Sequence, residues 1–222
     1  MKKGVFITFE GPEGCGKTTQ AALLYTYLTN KGYKCVLTRE PGGIPLSEKI
    51  REILLNPRHK GINAVCETLL FEASRAALIE KVIRPSLLKG LIVISDRFSD
   101  ATLAYQGFAG GQDISTIKII DRYATQGIKP DITILLDIDV KEGLKRASGK
   151  RKYNGRDRME RKSLRYHRAV RKGYLSLAKE EPKRIKVIKT QSAIEKTQQL
   201  VRKEVIKQLH LRGVTGFTRY TA

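Results

Sequence analysis

Val5-Phe6-Ile7-Thr8-Phe9-Glu10-Gly11-Pro12-Glu13-Gly14-Cys15-Gly16-Lys17-Thr18 joins a short apolar run to a glycine-rich loop, and a helical pattern begins at its end. Its last eight residues fit G-x-x-x-x-G-K-[ST]. Glycines in that pattern let the backbone turn its N–H groups inward around anionic oxygens, and the following helix offers those oxygens its positive end. Such a loop, set between strand and helix, cradles nucleotide phosphates. Lys17 would reach the outer phosphates, and Thr18 would offer its hydroxyl to Mg²⁺.

The chain on either side repeats the alternation of strand and helix. Lys17 to Asn30 carries Ala21, Leu24, Tyr25 and Leu28 at helical spacing, and Cys35 to Thr38 reads as a second strand, parallel to the first because a helix crosses between them. Pro45 to Leu55 and a stretch from Cys66 are helical, and Phe71 and Arg75, four apart, share one face of the latter. Leu91 to Ile94 is the clearest buried strand and ends in Ser95-Asp96-Arg97. A carboxylate at the carboxyl end of a parallel strand lies on the edge where open α/β sheets bind ligands, so Asp96 is a second magnesium-side residue and Arg97 a charge for a transferring phosphoryl group. Ser99 to Tyr105 and Ile114 to Thr125 are predicted helices around a 107–111 loop. Ile132 to Asp137 is a strand, Val140 to Ala147 a helix, Met159 to Leu177 a long helix, Ile185 to Ile188 a strand and Ile194 to Leu209 the last helix. The fold expected is α/β: a central parallel sheet of five strands with helices on both faces.

With 222 residues, 41% of them hydrophobic, the chain predicts one domain over 1–212, and the 213–222 tail has no periodicity to assign. Cys15, Cys35 and Cys66 are too few and scattered for a disulfide framework, which points to a reducing cytoplasm. The apolar run behind Met1-Lys2-Lys3 is too short for a signal peptide or a membrane span, so a soluble, unprocessed protein is expected. The formal net charge of +21 raises the question of nucleic acid. Between Lys145 and Lys172, however, thirteen Lys or Arg stand against two acids, Asp157 and Glu160, a net of +11, so about half the excess lies in one stretch. Ser148, Gly149, Asn154 and Gly155 interrupt any regular pattern there. A basic, irregular segment between two helices reads as a closing lid over a nucleotide, spanning about 146–158. No aromatic-interleaved strand of the kind that stacks bases accompanies it, and no specific nucleic-acid partner is expected.

Together with the loop, Thr38-Arg39-Glu40-Pro41-Gly42-Gly43, Leu70-Phe71-Glu72-Ala73-Ser74-Arg75, Asp96-Arg97-Phe98 and Ala104-Tyr105-Gln106-Gly107 occur in the order and spacing of the thymidylate kinases, which the chain resembles from about Val5 to its last helix. The resemblance implies a P-loop kinase fold, a homodimer, and transfer of the γ-phosphoryl group of ATP to dTMP with Mg²⁺. It places Gly11, Glu13, Gly14, Cys15, Gly16, Lys17, Thr18 and Thr19 on ATP, with Thr18 and Asp96 on the metal side. Arg39 and Arg97 would surround the dTMP phosphate, Phe71 would stack on thymine, and Arg75 would bond its O4 edge. Thr102 and Gln106 would complete the base contacts, Tyr105 would crowd the position of a 2′-hydroxyl, and Glu13 would meet the deoxyribose.

The acceptor is itself a phosphate anion, so Lys17, Mg²⁺ and arginines acting by position and charge are the expected catalysts. Glu13 in the loop resembles the subtype in which the lid supplies the catalytic arginine, for which Arg146, Arg151, Arg156 and Arg158 are the candidates. Two other readings stay open at this point: a P-loop kinase of another nucleotide or small acceptor, and a nucleic-acid-binding P-loop ATPase.

Overall fold

The computed structural model describes residues 4–59, 61–148 and 157–214. The first strand, β1 (Val5–Glu10), is buried along its whole length. Its side chains alternate between two apolar layers, as a strand covered on both faces must. Val5, Ile7 and Phe9 pack with Leu24 and Leu28 of α1 (Lys17–Asn30) and with Val201, Val205 and Leu209 of the last helix. Phe6 turns the other way, against Leu78, Ile79, Ile83 and Phe98. Glu10 shares the face of Phe6 and Thr8, and is therefore driven into the interior.

The chain then runs β2 (Cys35–Arg39), α2 (Pro45–Leu55), α3 (Ala64–Leu78), a π-helical turn over Ile79–Ile83, α4 (Arg84–Leu88), β3 (Ile92–Asp96), α5 (Ser99–Thr102) and a second π-helical turn over Leu103–Ala109. After these come α6 (Ile114–Thr125), β4 (Ile132–Asp137), α7 (Val140–Ser148), α8 (Leu164–Glu180), β5 (Ile185–Lys189) and α9 (Ile194–Leu211). All five strands are parallel, in the order β2-β3-β1-β4-β5. The five-stranded parallel sheet is the one expected; its strand order is new from the structure. Asp96 lies opposite both Phe9 and Arg39, so the ends of β1, β2 and β3 open on one edge.

The departures from the predicted elements have local causes. The helix expected from Cys66 begins two residues earlier, because the Asn63 side chain accepts from Cys66 N at 2.8 Å and caps it. It also continues through the π turn into α4. The helix predicted for Met159 to Leu177 begins instead at Leu164, capped by Ser163. The predicted helix from Ser99 to Tyr105 is a single α-helical turn that widens into a π turn, carrying Tyr105 and Gln106 with it. Of the expected lid, 149–156 lies outside the described residues, and 146–148 belongs to α7.

Candidate functional site

A cleft of about 410 Å³ opens at the carboxyl edge of the sheet, within the size range of small-molecule sites. The phosphate loop forms one end. Gly16, the residue before α1, has φ 95°, and Gly14 has φ 71° with no room for a Cβ beside the Gly143 backbone; both conformations favour glycine. Lys17 Nζ donates to the carbonyls of Gly11 (3.1 Å) and Pro12 (2.9 Å). Thr18 and Thr19 line the cleft, and Thr18 Oγ1 donates to Asp96 Oδ2 at 2.5 Å. Cys15 is fully buried, with its side chain packed in the core beneath the loop, where its Sγ accepts from Lys17 Nζ at 3.5 Å.

Arg97 stands at the centre. It has φ 73°, and its amide donates to Phe9 O at 2.9 Å, tying the end of β3 to the end of β1. Its guanidinium donates to Glu13 Oε1 (2.7 Å), to the hydroxyls of Tyr105 (3.0 Å) and Tyr174 (3.1 Å), and weakly to Gly11 O (3.4 Å). Tyr105 also donates to Glu13 Oε1 at 2.7 Å. Burial works against an ionised Glu13, but Arg97, Lys17 and the Tyr105 hydroxyl outweigh it and hold the carboxyl at about 2. Glu13 is thus a fixed negative charge at the junction of the loop and the far end of the cleft.

That far end is lined by Phe71, Arg75, Thr102, Tyr105 and Gln106. Arg75, 2% exposed, donates through Nε to Glu40 Oε2 (2.8 Å), through Nη1 to Glu72 and to Asp121 Oδ1 (3.1 Å), and through Nη2 to Thr102 Oγ1 (3.1 Å). Burial pushes Glu40 up to about 7 even with Arg75 beside it. Gln106 Nε2 donates to Glu67 Oε1 at 2.8 Å. Arg39 lies at the cleft's edge, with Nη2 donating to both Glu48 oxygens (2.9 and 3.0 Å).

The structure therefore brings Glu13, Gly14, Gly16, Lys17, Thr18 and Thr19 of the loop, with Arg39, Phe71, Arg75, Asp96, Arg97, Thr102, Tyr105 and Gln106, around one cavity, while Gly11 and Cys15 of the same loop do not line it. Among the lid candidates, Arg146 lines the cleft from the end of α7. Arg151 and Arg156 lie outside the described residues. Arg158 is not brought to the cleft: its Nε donates to Leu54 O at 2.7 Å and its Nη1 pairs with Glu67.

Several residues of the site went unread in the sequence. Glu10 accepts from Phe98 N (2.7 Å) and from the Tyr174 hydroxyl (2.8 Å), and burial pushes it up to about 8. Its signal was available in the alternation of β1. Glu67 stands four residues before Phe71 and eight before Arg75, on one helical stripe. Tyr174 and Arg51, which donates to Pro41 O at 2.9 Å, come from α8 and α2, and no local pattern points either of them at the cleft.

A family model described as Thymidylate kinase matches residues 9–201. A thymidylate kinase of Geotalea uraniireducens is 43% identical over 211 residues, 93% of this chain and 98% of that protein. One from Thermoanaerobacter sp. is 48% identical over 182 residues, 82% of this chain and 87% of that protein. The crystal structure of thymidylate kinase from Ehrlichia chaffeensis superposes with a TM-score of 0.74 at 35% identity, covering 92% of this chain and 99% of that one.

Proposed function

The chain belongs to the thymidylate kinase family and converts dTMP to dTDP with ATP, and from that premise we propose that one 1–212 kinase domain performs the transfer in the cleft at the sheet edge. The observation that supports this assignment of residues is the joining of two ends. A phosphate loop and a pocket with one aromatic face, Phe71, and directed polar groups, Arg75 and Gln106, meet at Arg97 and Glu13.

Lys17 draws the outer phosphates of ATP, and the backbone of 11–19 holds the rest of the chain of phosphates. Arg97, with Arg39 at the rim, holds the dTMP phosphate in line with them. Phe71 stacks on the base, Arg75 and Thr102 meet its O4 side, and Gln106 meets its edge. Tyr105 and Glu13 bound the sugar. The acceptor oxygen is already anionic, so these groups contribute position and charge neutralisation and no general base is required. The 146–158 segment, read from the sequence as a lid, is assigned a further arginine. Arg158 is committed to Glu67, which leaves Arg146, Arg151 and Arg156 for that role.

Thr18 and Asp96 present an oxygen-only pair, the donor type that Mg²⁺ takes. Among the described residues no cluster of three or more His, Cys, Asp or Glu could hold a metal alone, which suits an ion carried chiefly by the nucleotide's phosphates. Bound there, Mg²⁺ would neutralise charge on those phosphates.

A homodimer is supported by exposed apolar side chains on the neighbouring helices α2, α3 and α6: Leu46, Ile53, Val65, Leu69, Ile119 and Tyr123. The unpaired thiols of Cys15, Cys35 and Cys66 suit a cytoplasmic location, and among the described residues no helix is long and apolar enough to cross a membrane.

The test is ADP release with Mg-ATP and a panel of dTMP, dUMP, dCMP and the ribonucleotide of thymine. dTMP is expected to be used best, and faster turnover of any other would overturn the assignment of the base pocket.

A further inference from the structure

Gln106 carries a side chain whose meaning depends on which way round it sits. An amide can show a base either an acceptor (Oε1) or a donor (Nε2), and the two atoms point apart. Here Nε2 donates to Glu67 Oε1 at 2.8 Å, while Glu67 Oε2 is ion-paired with Arg158 Nη1. All three side chains are largely buried, Gln106 at 2% exposure. An ionised carboxylate only accepts hydrogen bonds, so turning the Gln106 amide over would set two acceptor oxygens against each other in a dry site, a strongly unfavourable arrangement. The carbonyl is the atom left for the cleft that Gln106 lines.

We propose that Glu67, held in place by Arg158, is a specificity-determining positioning residue: it fixes Gln106 with its carbonyl toward the base and so selects a pyrimidine with an N–H at position 3. The inference rests on the reading of Gln106 as a base contact. Thymine offers that N3–H and an O4 acceptor to Arg75. Cytosine offers a lone pair at N3 and a donor at N4, and both positions then face like partners. The arrangement also gives Arg158 a place in the reaction that is separate from the transferring phosphoryl group: held by the carbonyls of Leu54 and Leu55 at the end of α2, it braces Glu67 behind the base pocket.

The experiment compares kcat/KM for dTMP and for 5-methyl-dCMP, which keeps the methyl group and differs only along the base edge. In Glu67→Gln the new amide can donate as well as accept, so Gln106 is free to turn. The dTMP to 5-methyl-dCMP ratio is expected to fall by about tenfold or more, the worth of one misplaced hydrogen bond. Glu67→Asp, still acceptor-only, is expected to keep the ratio even if both rates drop. Because Glu67→Gln strands the buried charge of Arg158, the double variant Glu67→Gln/Arg158→Gln is measured beside it, with the same fall expected. A ratio unchanged in both Gln variants, with both substrates slowed equally, would overturn the proposal by reducing Glu67 to a structural group. Gln106→Leu separates that failure from failure of the underlying reading. If it changes neither substrate, Gln106 is not a base contact. If it slows dTMP while the Glu67 variants keep the ratio, only the positioning role is lost.

Discussion

Replacing Arg75 by methionine should expose how much of the base pocket is electrostatic. The substitution keeps most of the side-chain volume, so a cavity is a minor part of its effect, but it withdraws the guanidinium that Glu40, Glu72 and Asp121 share in a site where Arg75 itself is 2% exposed. Removing one partner of a buried pair costs roughly 3–5 kcal/mol because the other charge is left without compensation. For a chain of this size 1 kcal/mol moves Tm by about 2–4 °C, so a loss on the order of 10 °C is expected at high pH. The pH dependence carries the sharper test. Burial raises Glu40 from 4.5 to about 7 with Arg75 present, and without it the carboxyl must rise further. A raised carboxyl gives stability that is full below its unfolded value and is lost as pH rises through the folded value. The variant's deficit should therefore be narrow at pH 5.5, where Glu40 is protonated in both proteins, and wide at pH 8.5. Urea unfolding at the two pH values reads the deficit directly. A gap of equal size at both, or one below about 1 kcal/mol at pH 8.5, would refute the reasoning, since neither fits a buried charge left unpaired.

Lys17→Ala should lower kcat by at least about a hundredfold, as loss of a preorganised charge at the transferring group does, and a fall below tenfold in steady-state assays would remove Lys17 from that role. Asp96→Asn should raise the Mg²⁺ concentration for half-maximal rate by about tenfold or more at fixed ATP, and an unchanged requirement would take Asp96 off the metal. Tyr123→Glu places a charge on an 88% exposed side chain of α6 and should give monomers in sedimentation, whereas an intact dimer would put the interface elsewhere. Glu10→Gln should flatten the fall of stability with pH. Burial raises Glu10 from 4.5 to about 8, so the wild type loses stability on the order of a few kcal/mol as pH rises across that window, and an unaltered slope in urea unfolding would show that Glu10 does not titrate there.

Legibility in the sequence followed the range of the interaction. The phosphate loop and the Asp96-Arg97 strand end could be read because each is a local pattern, a spacing of a few residues with one mechanical meaning; spacing put Phe71 and Arg75 on one helix face, but only the family resemblance gave that face a base to meet. The groups that hold those residues in place were silent because their partners are distant in the chain. Glu67 reaches Gln106 and Arg158 from 39 positions away in the first case, and Tyr174 reaches Glu10 from 164 away. Arg158 shows the cost of reading composition alone. It sits in a basic run and was grouped with the lid arginines, yet the amide of the same residue bonds to Leu55 O at 3.0 Å and its side chain bonds to Leu54 O and pairs with Glu67 of α3.

Glu13 and Arg97 show why donor and acceptor halves of such a site cannot be built independently. Arg97 sits in a left-handed conformation that costs a non-glycine residue roughly 1–3 kcal/mol, and it persists because its surroundings over-determine it. Glu13, from the phosphate loop, and Tyr105, from the π turn, fix one side of the guanidinium; Tyr174, itself bonded to Glu10, fixes the other. Glu10 also receives the amide of Phe98, the residue after Arg97. The strand that delivers the phosphate loop thus sets the conformation of the arginine assigned to the acceptor phosphate, through one carboxylate before the loop and another within it. A change at either carboxylate should act on both substrates at once, which is the behaviour a shared hinge point between the two halves requires.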